Sequence, residues 1–61
     1  MTKRERALVT VRAEVAEHGY ATRLAIRAYV EARVSYQAFQ GAVRDGLAIY
    51  NREQAKCPAA S

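Results

Sequence analysis

The single histidine of this 61-residue chain is the side chain best suited to acid–base chemistry, and two carboxylates lie near it in the sequence. Glu14 lies one helical turn before His18, and Glu17 directly precedes it. General acid–base catalysis also needs a pocket and a nucleophile or second carboxylate held opposite, and no such partner can be identified in the sequence. A histidine near the C-terminal end of a helix is favoured by the helix dipole. We therefore expect His18 to be a helix-terminal residue and not a catalytic one.

Metal and nucleotide sites are disfavoured by residue counts and spacing. The chain has one cysteine, Cys57, and one histidine. A zinc site needs about three or four protein ligands, and two residues cannot supply them. Gly41 and Gly46 follow no strand pattern and precede no Lys-Ser or Lys-Thr pair, so they do not form a phosphate-binding loop. The sequence therefore predicts no enzymatic activity, no cofactor and no small-molecule substrate.

Chain length limits the size of the fold. A chain of 61 residues forms one small domain, and such domains bury only about 60% of their unfolded surface. Because no disulfide framework or metal is expected, association with another chain is the expected source of extra stability. One unpaired cysteine suits the reducing cytoplasm, and no apolar run approaches the ~18 residues of a membrane span. We expect a cytoplasmic protein with no membrane partner.

The chain is basic, with a net charge of +4 and a pI near 9.7. Basic patches attract nucleic acid through the release of counterions. In the last helical segment, however, Arg44, Arg52 and Lys56 are opposed by Asp45 and Glu53, which weakens the attraction of that segment for phosphate. An acidic protein surface would explain the same charge equally well.

Local signals divide the chain into helices. Thr2 and Glu5 have the spacing of a capping box, which places the start of a first helix near residue 3. Gly19 is typical of a helix end, and Tyr20 is expected to fold back on Val15. The expected buried stripe of this helix consists of Ala7, Leu8, Val11 and Val15.

Thr22 is predicted to cap a second helix that runs to about Ala32. Its expected buried side consists of Leu24, Ala25, Ala28, Tyr29 and Ala32. Ile26, Val30 and Val34 lie off this stripe, so the segment is apolar on more than one side. A single neighbouring helix cannot cover such a segment, which favours a dimer.

Ser35 is predicted to cap a third helix with a strong apolar seam. Tyr36, Val43 and Tyr50 follow a seven-residue repeat, and we assign the homodimer interface to Phe39, Val43, Leu47 and Tyr50. The direction of the pairing, parallel or antiparallel, stays open. Gly41 and Gly46 are each expected to mark a close backbone approach, a bend, or a helix end near Asp45-Gly46.

The second and third helices together match a helix-turn-helix motif in part. Val34 and Ser35 suit the apolar turn residue and the following cap, and Phe39 suits the buried position early in the second helix of the motif. Two residues depart from it. Arg33 stands where such turns usually have glycine, and Tyr29 where a small residue is usual.

The candidate contact residues are polar and aromatic. In a helix-turn-helix, Gln37, Gln40 and Arg44 would share an outward face and could pair with base edges; otherwise they form an ordinary solvated face. Arg23 and Arg27 are one turn apart and could clamp a carboxylate of a partner, or Arg27 could pair with Glu31. The predicted partner-binding residues are Arg23, Arg27, Tyr36, Gln37, Gln40 and Arg44.

The run HGYATRLAIRAYVEARVSYQAFQGAVRDGLAIY, from His18 to Tyr50, resembles small helical proteins encoded in the early regions of transposable, Mu-like bacteriophages. The resemblance covers about half of the chain and carries over the role of no particular residue. It implies a host-takeover function in the bacterial cytoplasm. The partner would be a host protein, such as a DNA-binding transcription regulator, that is bound and inhibited.

The sequence as a whole predicts an all-α fold of two to three helices with a helix-turn-helix-like hairpin, assembled as a helical homodimer. Residues 1–56 form a single helical domain and residues 57–61 a disordered tail. The expected function is non-enzymatic, stoichiometric binding of a host protein. The alternative is a minimal helix-turn-helix transcriptional regulator that binds DNA.

Overall fold

In the part of the chain that the structure describes, three helices joined by two short turns make up an all-α fold, as predicted. The computed structural model describes residues 1–56, with α1 at Lys3–His18, α2 at Arg23–Glu31 and α3 at Tyr36–Lys56. The tail predicted to be disordered, residues 57–61, lies outside the described residues. The helix α1 is central, because both α2 and α3 pack against it.

The start of α1 is the predicted capping box. The Glu5 amide donates to Thr2 Oγ1 at 3.1 Å, and the Thr2 amide donates to Glu5 Oε1 at 3.0 Å. Both hydrogen bonds satisfy backbone donors that have no partner within the helix. The hydrogen bonds from Thr2 hold the pKa of the Glu5 carboxyl below its ordinary value of 4.5, because they stabilise the charged form.

This lowered pKa predicts a pH-dependent contribution of the cap. Since the folded-state pKa of Glu5 lies below the unfolded value, the stabilisation is present above pH 4.5 and is lost as pH falls through the folded-state pKa. Glu5→Gln keeps an acceptor at the same place but does not titrate. We expect the melting temperature of the wild-type chain to fall more steeply than that of Glu5→Gln between about pH 5 and about pH 3. Parallel curves would mean that the carboxylate adds nothing to the cap.

The end of α1 differs in one contact from its prediction. Gly19 adopts the left-handed conformation, with φ of 84°, and its amide donates to the Val15 carbonyl at 2.8 Å, as expected of a helix-ending glycine. Tyr20 does not fold back on Val15: it is 62% exposed, and its ring lies 6.0 Å from that of His18. The ring of Tyr50 from α3 lies against Gly19, so close that a Cβ there would be 2.9 Å from it. A tertiary contact therefore covers this helix end.

The core lies along the face of α1 that was predicted from its apolar repeat. Val11 and Val15 are fully buried and are joined by Ala25 of α2 and Ala42 of α3. Half-buried apolar side chains surround this centre: Leu8, Ala21, Tyr29, Phe39, Val43 and Leu47. The prediction that Leu24 is buried is wrong, since it is 56% exposed. The side of α2 that faces α1 is centred on Ala25, and small side chains there let the two helices approach closely.

The turn between α2 and α3 has the helix-turn-helix features that the sequence indicated. The Ser35 hydroxyl accepts a hydrogen bond from the Ala38 amide at 3.2 Å and so caps α3. Val34 is buried, and Arg33 is the one non-glycine residue with positive φ, 54°, in the described part of the chain. An arginine therefore adopts the left-handed conformation that glycine usually supplies in such turns.

Arg33 should carry conformational strain that glycine would remove. Arg33→Gly is expected to raise the free energy of unfolding by about 0.5–1 kcal/mol, because the left-handed conformation disfavours a residue with a Cβ. Arg33→Ala removes the same charge but keeps the Cβ, and we expect it to leave stability nearly unchanged. Thermal unfolding of the three chains measures both effects. Equal stabilisation by both substitutions would point to relief of charge repulsion instead of strain.

The two glycines of α3 have different surroundings. The helix neither ends nor is interrupted at Gly46 but continues to Lys56. A Cβ at Gly46 would lie 2.7 Å from Val15 Cβ and 2.8 Å from the Arg12 carbonyl oxygen. Of the three alternatives left open by the sequence, close backbone approach is therefore the one observed. At Gly41 a Cβ would have no neighbour within 4 Å, so the close approach that was also considered for this glycine is not observed.

Candidate functional site

One side of α3 borders a surface groove of about 350 Å³, which we call the α3 groove. It runs along the N-terminal half of α3 and reaches the connection between α1 and α2. Its lining consists of Ala21, Tyr36, Phe39, Gln40, Val43, Arg44 and Leu47. The groove is mostly apolar, with polar or charged groups contributed by three residues at its rim.

The floor of the α3 groove is held in place by aromatic packing. The ring of Phe39 stacks on that of Tyr29 from α2, with centroids 4.2 Å apart and an angle of 26° between the planes. Tyr36 adds a second ring, 6.4 Å from Phe39. Val43 and Leu47 continue the floor and also pack against the core. These floor residues are only half-buried, so apolar surface stays available for a partner.

The groove joins two sets of residues that the sequence assigned to different tasks. Phe39, Val43 and Leu47 were assigned to a dimer interface, and they form the floor. Tyr36, Gln40 and Arg44 were assigned to partner binding, and they form the rim. A single occupant lying in the groove would contact both sets, so the residues predicted for the two roles lie on one surface.

The remaining predicted site residues lie outside the groove. Tyr50 is half-buried against Gly19 of the same chain. Gln37 is exposed on α3 but does not line the groove. Arg23 and Arg27 are exposed on α2, and Arg27 Nε lies 3.3 Å from Glu31 Oε2, the intrahelical pair that the sequence offered as an alternative. Ala21 was missed, because only the path of the α1–α2 connection brings it to α3.

The only charge in the lining of the α3 groove is positive. Arg44 is the only charged residue in its lining. Arg44 is exposed and takes part in none of the ion pairs found within residues 1–56. Asp45, its neighbour in sequence, lies on the other side of α3, where it lines a second groove with Leu8, Val9 and Arg12 of α1. The α3 groove therefore presents an unmatched positive charge beside an apolar floor.

The outer side of α2 carries further exposed apolar surface. Ile26 and Val30 are one helical turn apart and are 46% and 61% exposed. In the helical register they lie beside Tyr29, the residue that stacks on the groove floor. The sequence placed Ile26, Val30 and Val34 off the buried stripe of α2. Ile26 and Val30 are exposed as predicted, whereas Val34 is buried in the turn that follows α2.

The histidine and its two carboxylates form a cluster at the end of α1. His18 Nε2 lies 3.9 Å from Glu14 Oε1 and 4.0 Å from Glu17 Oε2. Glu14 Oε1 also accepts a hydrogen bond of 2.6 Å from the Thr22 hydroxyl, whose oxygen caps α2 by accepting from the Ala25 amide at 3.3 Å. The most buried carboxylate of the cluster is thus engaged in joining α1 to α2. This contact gives the cluster a structural role at the α1–α2 corner.

Comparisons of the chain with protein-family models, with curated proteins and with solved structures gave no match. Among the described residues, no helix is both long enough and apolar enough to cross a membrane.

Proposed function

We propose that this chain acts without catalysis, by stoichiometric binding of a protein in the α3 groove. The observation that carries the proposal is the groove itself, where an apolar floor of Phe39, Val43 and Leu47 meets a rim of three side chains that can form hydrogen bonds. Protein interfaces have this arrangement, with an apolar centre and a polar rim. Tyrosine and arginine, both present in the lining, are enriched among residues that dominate binding energy when a partner buries them.

The groove is suited to a helix or an extended segment of a partner. Its lining residues on α3 recur at spacings of three and four and so follow the helix for about three turns. Amphipathic helices are bound in apolar grooves of this kind through side chains at the same spacing. The Tyr29–Phe39 stack fixes the floor before binding, which lowers the entropy lost when a partner docks.

The resemblance to early-region proteins of Mu-like bacteriophages would make the partner a bacterial host protein. In that case binding inhibits or modulates the host protein, for example a transcription regulator, in the bacterial cytoplasm. A second copy of the chain is the other protein that can fill the groove, since an uncovered apolar floor favours self-association as well.

Site-specific photo-crosslinking tests the proposal. In one variant a photoreactive residue replaces Gln40 at the groove rim. In a matched control it replaces Ala13, which is exposed on α1 and lies outside the α3 groove. In a bacterial lysate treated with nuclease, we expect a discrete protein adduct from position 40 and none from position 13. The adduct should be lost when Val43→Glu is added, because a buried unpaired charge opposes docking.

The crosslinking result has two contrary outcomes. Equal labelling from positions 40 and 13 would show that proteins contact the chain without using the groove. Position-40 adducts that form in untreated lysate but not in nuclease-treated lysate would show that nucleic acid is the true partner. Circular dichroism of each variant must first show unchanged helix content, so that lost binding is not lost folding.

The turn geometry favours DNA binding as a second candidate function. Arg33 has the positive φ, and Ser35 the capping bond, of a helix-turn-helix, and Gln37, Gln40 and Arg44 are exposed on α3. A DNA-binding chain of this kind should lose affinity by orders of magnitude between low and moderate salt, and a dimer would need half-sites ~34 Å apart. Salt-independent association with the partner would exclude it.

A further inference from the structure

The charge of the lining residues indicates which kind of partner segment the α3 groove would bind. We infer that the groove binds an acidic amphipathic helix of a partner protein. The apolar side chains of that helix would pack against Phe39, Val43 and Leu47, and one of its carboxylates would face Arg44. This inference rests on the proposed function, since it names the chemistry of the protein that the groove would bind. Arg44 is the only charge in the lining and lacks an ion-pair partner within residues 1–56.

A carboxylate is the group that best matches Arg44. The guanidinium is planar and always charged, and it pairs with a carboxylate through two parallel hydrogen bonds. Gln40 precedes Arg44 by one helical turn and can donate a further hydrogen bond to the same partner segment. Because the pair would lie beside an apolar floor that excludes water, its attraction is screened less than that of a fully solvated pair.

A second copy of α3 does not supply this carboxylate. The acidic residues of α3 among the described residues are Asp45 and Glu53. Asp45 lines the groove on the other side of the helix, and Glu53 follows Gly46, which is buried against α1, by two helical turns. Neither acid lies on the side of α3 that borders the α3 groove.

An antiparallel pair of α3 helices would also place like charges together. The two-fold axis of such a pair is perpendicular to both helices. With Val43 at the axis, Arg44 lies only about 1.5 Å further along each helix. The two copies of Arg44 would then be neighbours on the same side of the pair, and like charges so placed oppose association. The charge of the groove thus favours a different, acidic chain over antiparallel self-pairing of α3.

A peptide selection tests this inference on the whole chain. The probe is a displayed library of helix-forming peptides of about 15 residues, with leucine fixed at helical spacing and Glu, Gln or Lys allowed beside it. We expect selection on the wild-type chain to enrich Glu, and selection on Arg44→Glu to enrich Lys. Arg52→Glu is the matched control, because Arg52 is also exposed on α3 but lies outside the groove lining.

The selected peptides give the quantitative test. Their affinity should fall about tenfold for Arg44→Glu and by less than about twofold for Arg52→Glu, since only Arg44 would face the peptide carboxylate. Equal losses in the two variants would show that net charge, and not the groove, attracts the peptide. Val43→Glu should abolish binding by all selected peptides.

The outcomes separate this inference from the proposed function. Peptides that need an intact Val43 but show no preference for Glu would overturn the acidic occupant and leave protein binding in the groove intact. Failure to enrich any peptide that depends on Val43 would overturn both. A chain that is dimeric by sedimentation, and monomeric after Val43→Glu, would show that the groove is filled by a second copy and would overturn the acidic-helix inference.

Discussion

Gly46→Ala is expected to destabilise the fold by about 1–3 kcal/mol, although alanine is a better helix former than glycine. The added Cβ would lie 2.7 Å from Val15 Cβ and 2.8 Å from the Arg12 carbonyl oxygen. Because the second contact is with backbone, no side-chain rotation can relieve it, and α1 and α3 must move apart. Separation of these helices would loosen the core at the fully buried Val15.

Gly41→Ala provides a matched control for this prediction. The same atom is added to the same helix, but at Gly41 a Cβ would have no neighbour within 4 Å. Only the helix propensity changes, so we expect stabilisation of up to about 1 kcal/mol. Thermal unfolding should therefore move in opposite directions for the two variants, by about 4–8 °C per kcal/mol in a domain of this size. Shifts of the same sign would mean that α3 does not approach α1 at Gly46.

Thr22→Ala is expected to destabilise the chain by about 2.5 kcal/mol, because one hydroxyl makes two hydrogen bonds. It caps α2 by accepting from the Ala25 amide, a contribution of about 1 kcal/mol. It also donates to the Glu14 carboxylate at 2.6 Å, and a hydrogen bond to a charged group adds about 1.5–3 kcal/mol when well shielded. Glu14 is partly exposed, so the lower end of that range applies.

Thr22→Ser separates the hydroxyl from the rest of the side chain. Serine keeps both hydrogen bonds and caps helices well, so its stability should lie close to that of the wild-type chain. A double-mutant cycle of Thr22→Ala with Glu14→Ala measures the coupling between the two helices directly. A coupling energy near zero would show that Thr22 only caps α2 and that its hydrogen bond to Glu14 does not stabilise the packing of α1 on α2.

Helix boundaries could be predicted because they depend on neighbours in sequence. Thr2, Gly19, Thr22 and Ser35 each lie within four residues of the backbone group that they satisfy, and all four act at the predicted helix ends. Capping requires only local geometry, which is the same in any fold. For the same reason the buried stripe of α1 followed from its apolar repeat.

Contacts between helices were predicted less well. Tyr20 was expected to pack on Val15, but it is exposed, and the ring of Tyr50 covers the end of α1 instead. Leu24 was expected in the core, but it is also exposed, because Ala25 is the residue of α2 that packs there. Periodicity identifies an apolar side of a helix but not the neighbour that it meets or the crossing angle. The same limit applies to Gly46, whose role depends on the position of α1.

The candidate site shows most clearly the difference between what sequence spacing predicts and what helix packing decides. The sequence alone determined that α3 carries two sets of residues, because each set recurs at helical spacing. The apolar set is Phe39, Val43 and Leu47, and the polar set is Tyr36, Gln40 and Arg44. Only the tertiary structure decided that these two sets are the floor and the rim of one groove. The reason is physical: a groove requires a second wall, and here the connection between α1 and α2 supplies it through Ala21, while Tyr29 of α2 supports the floor by stacking on Phe39.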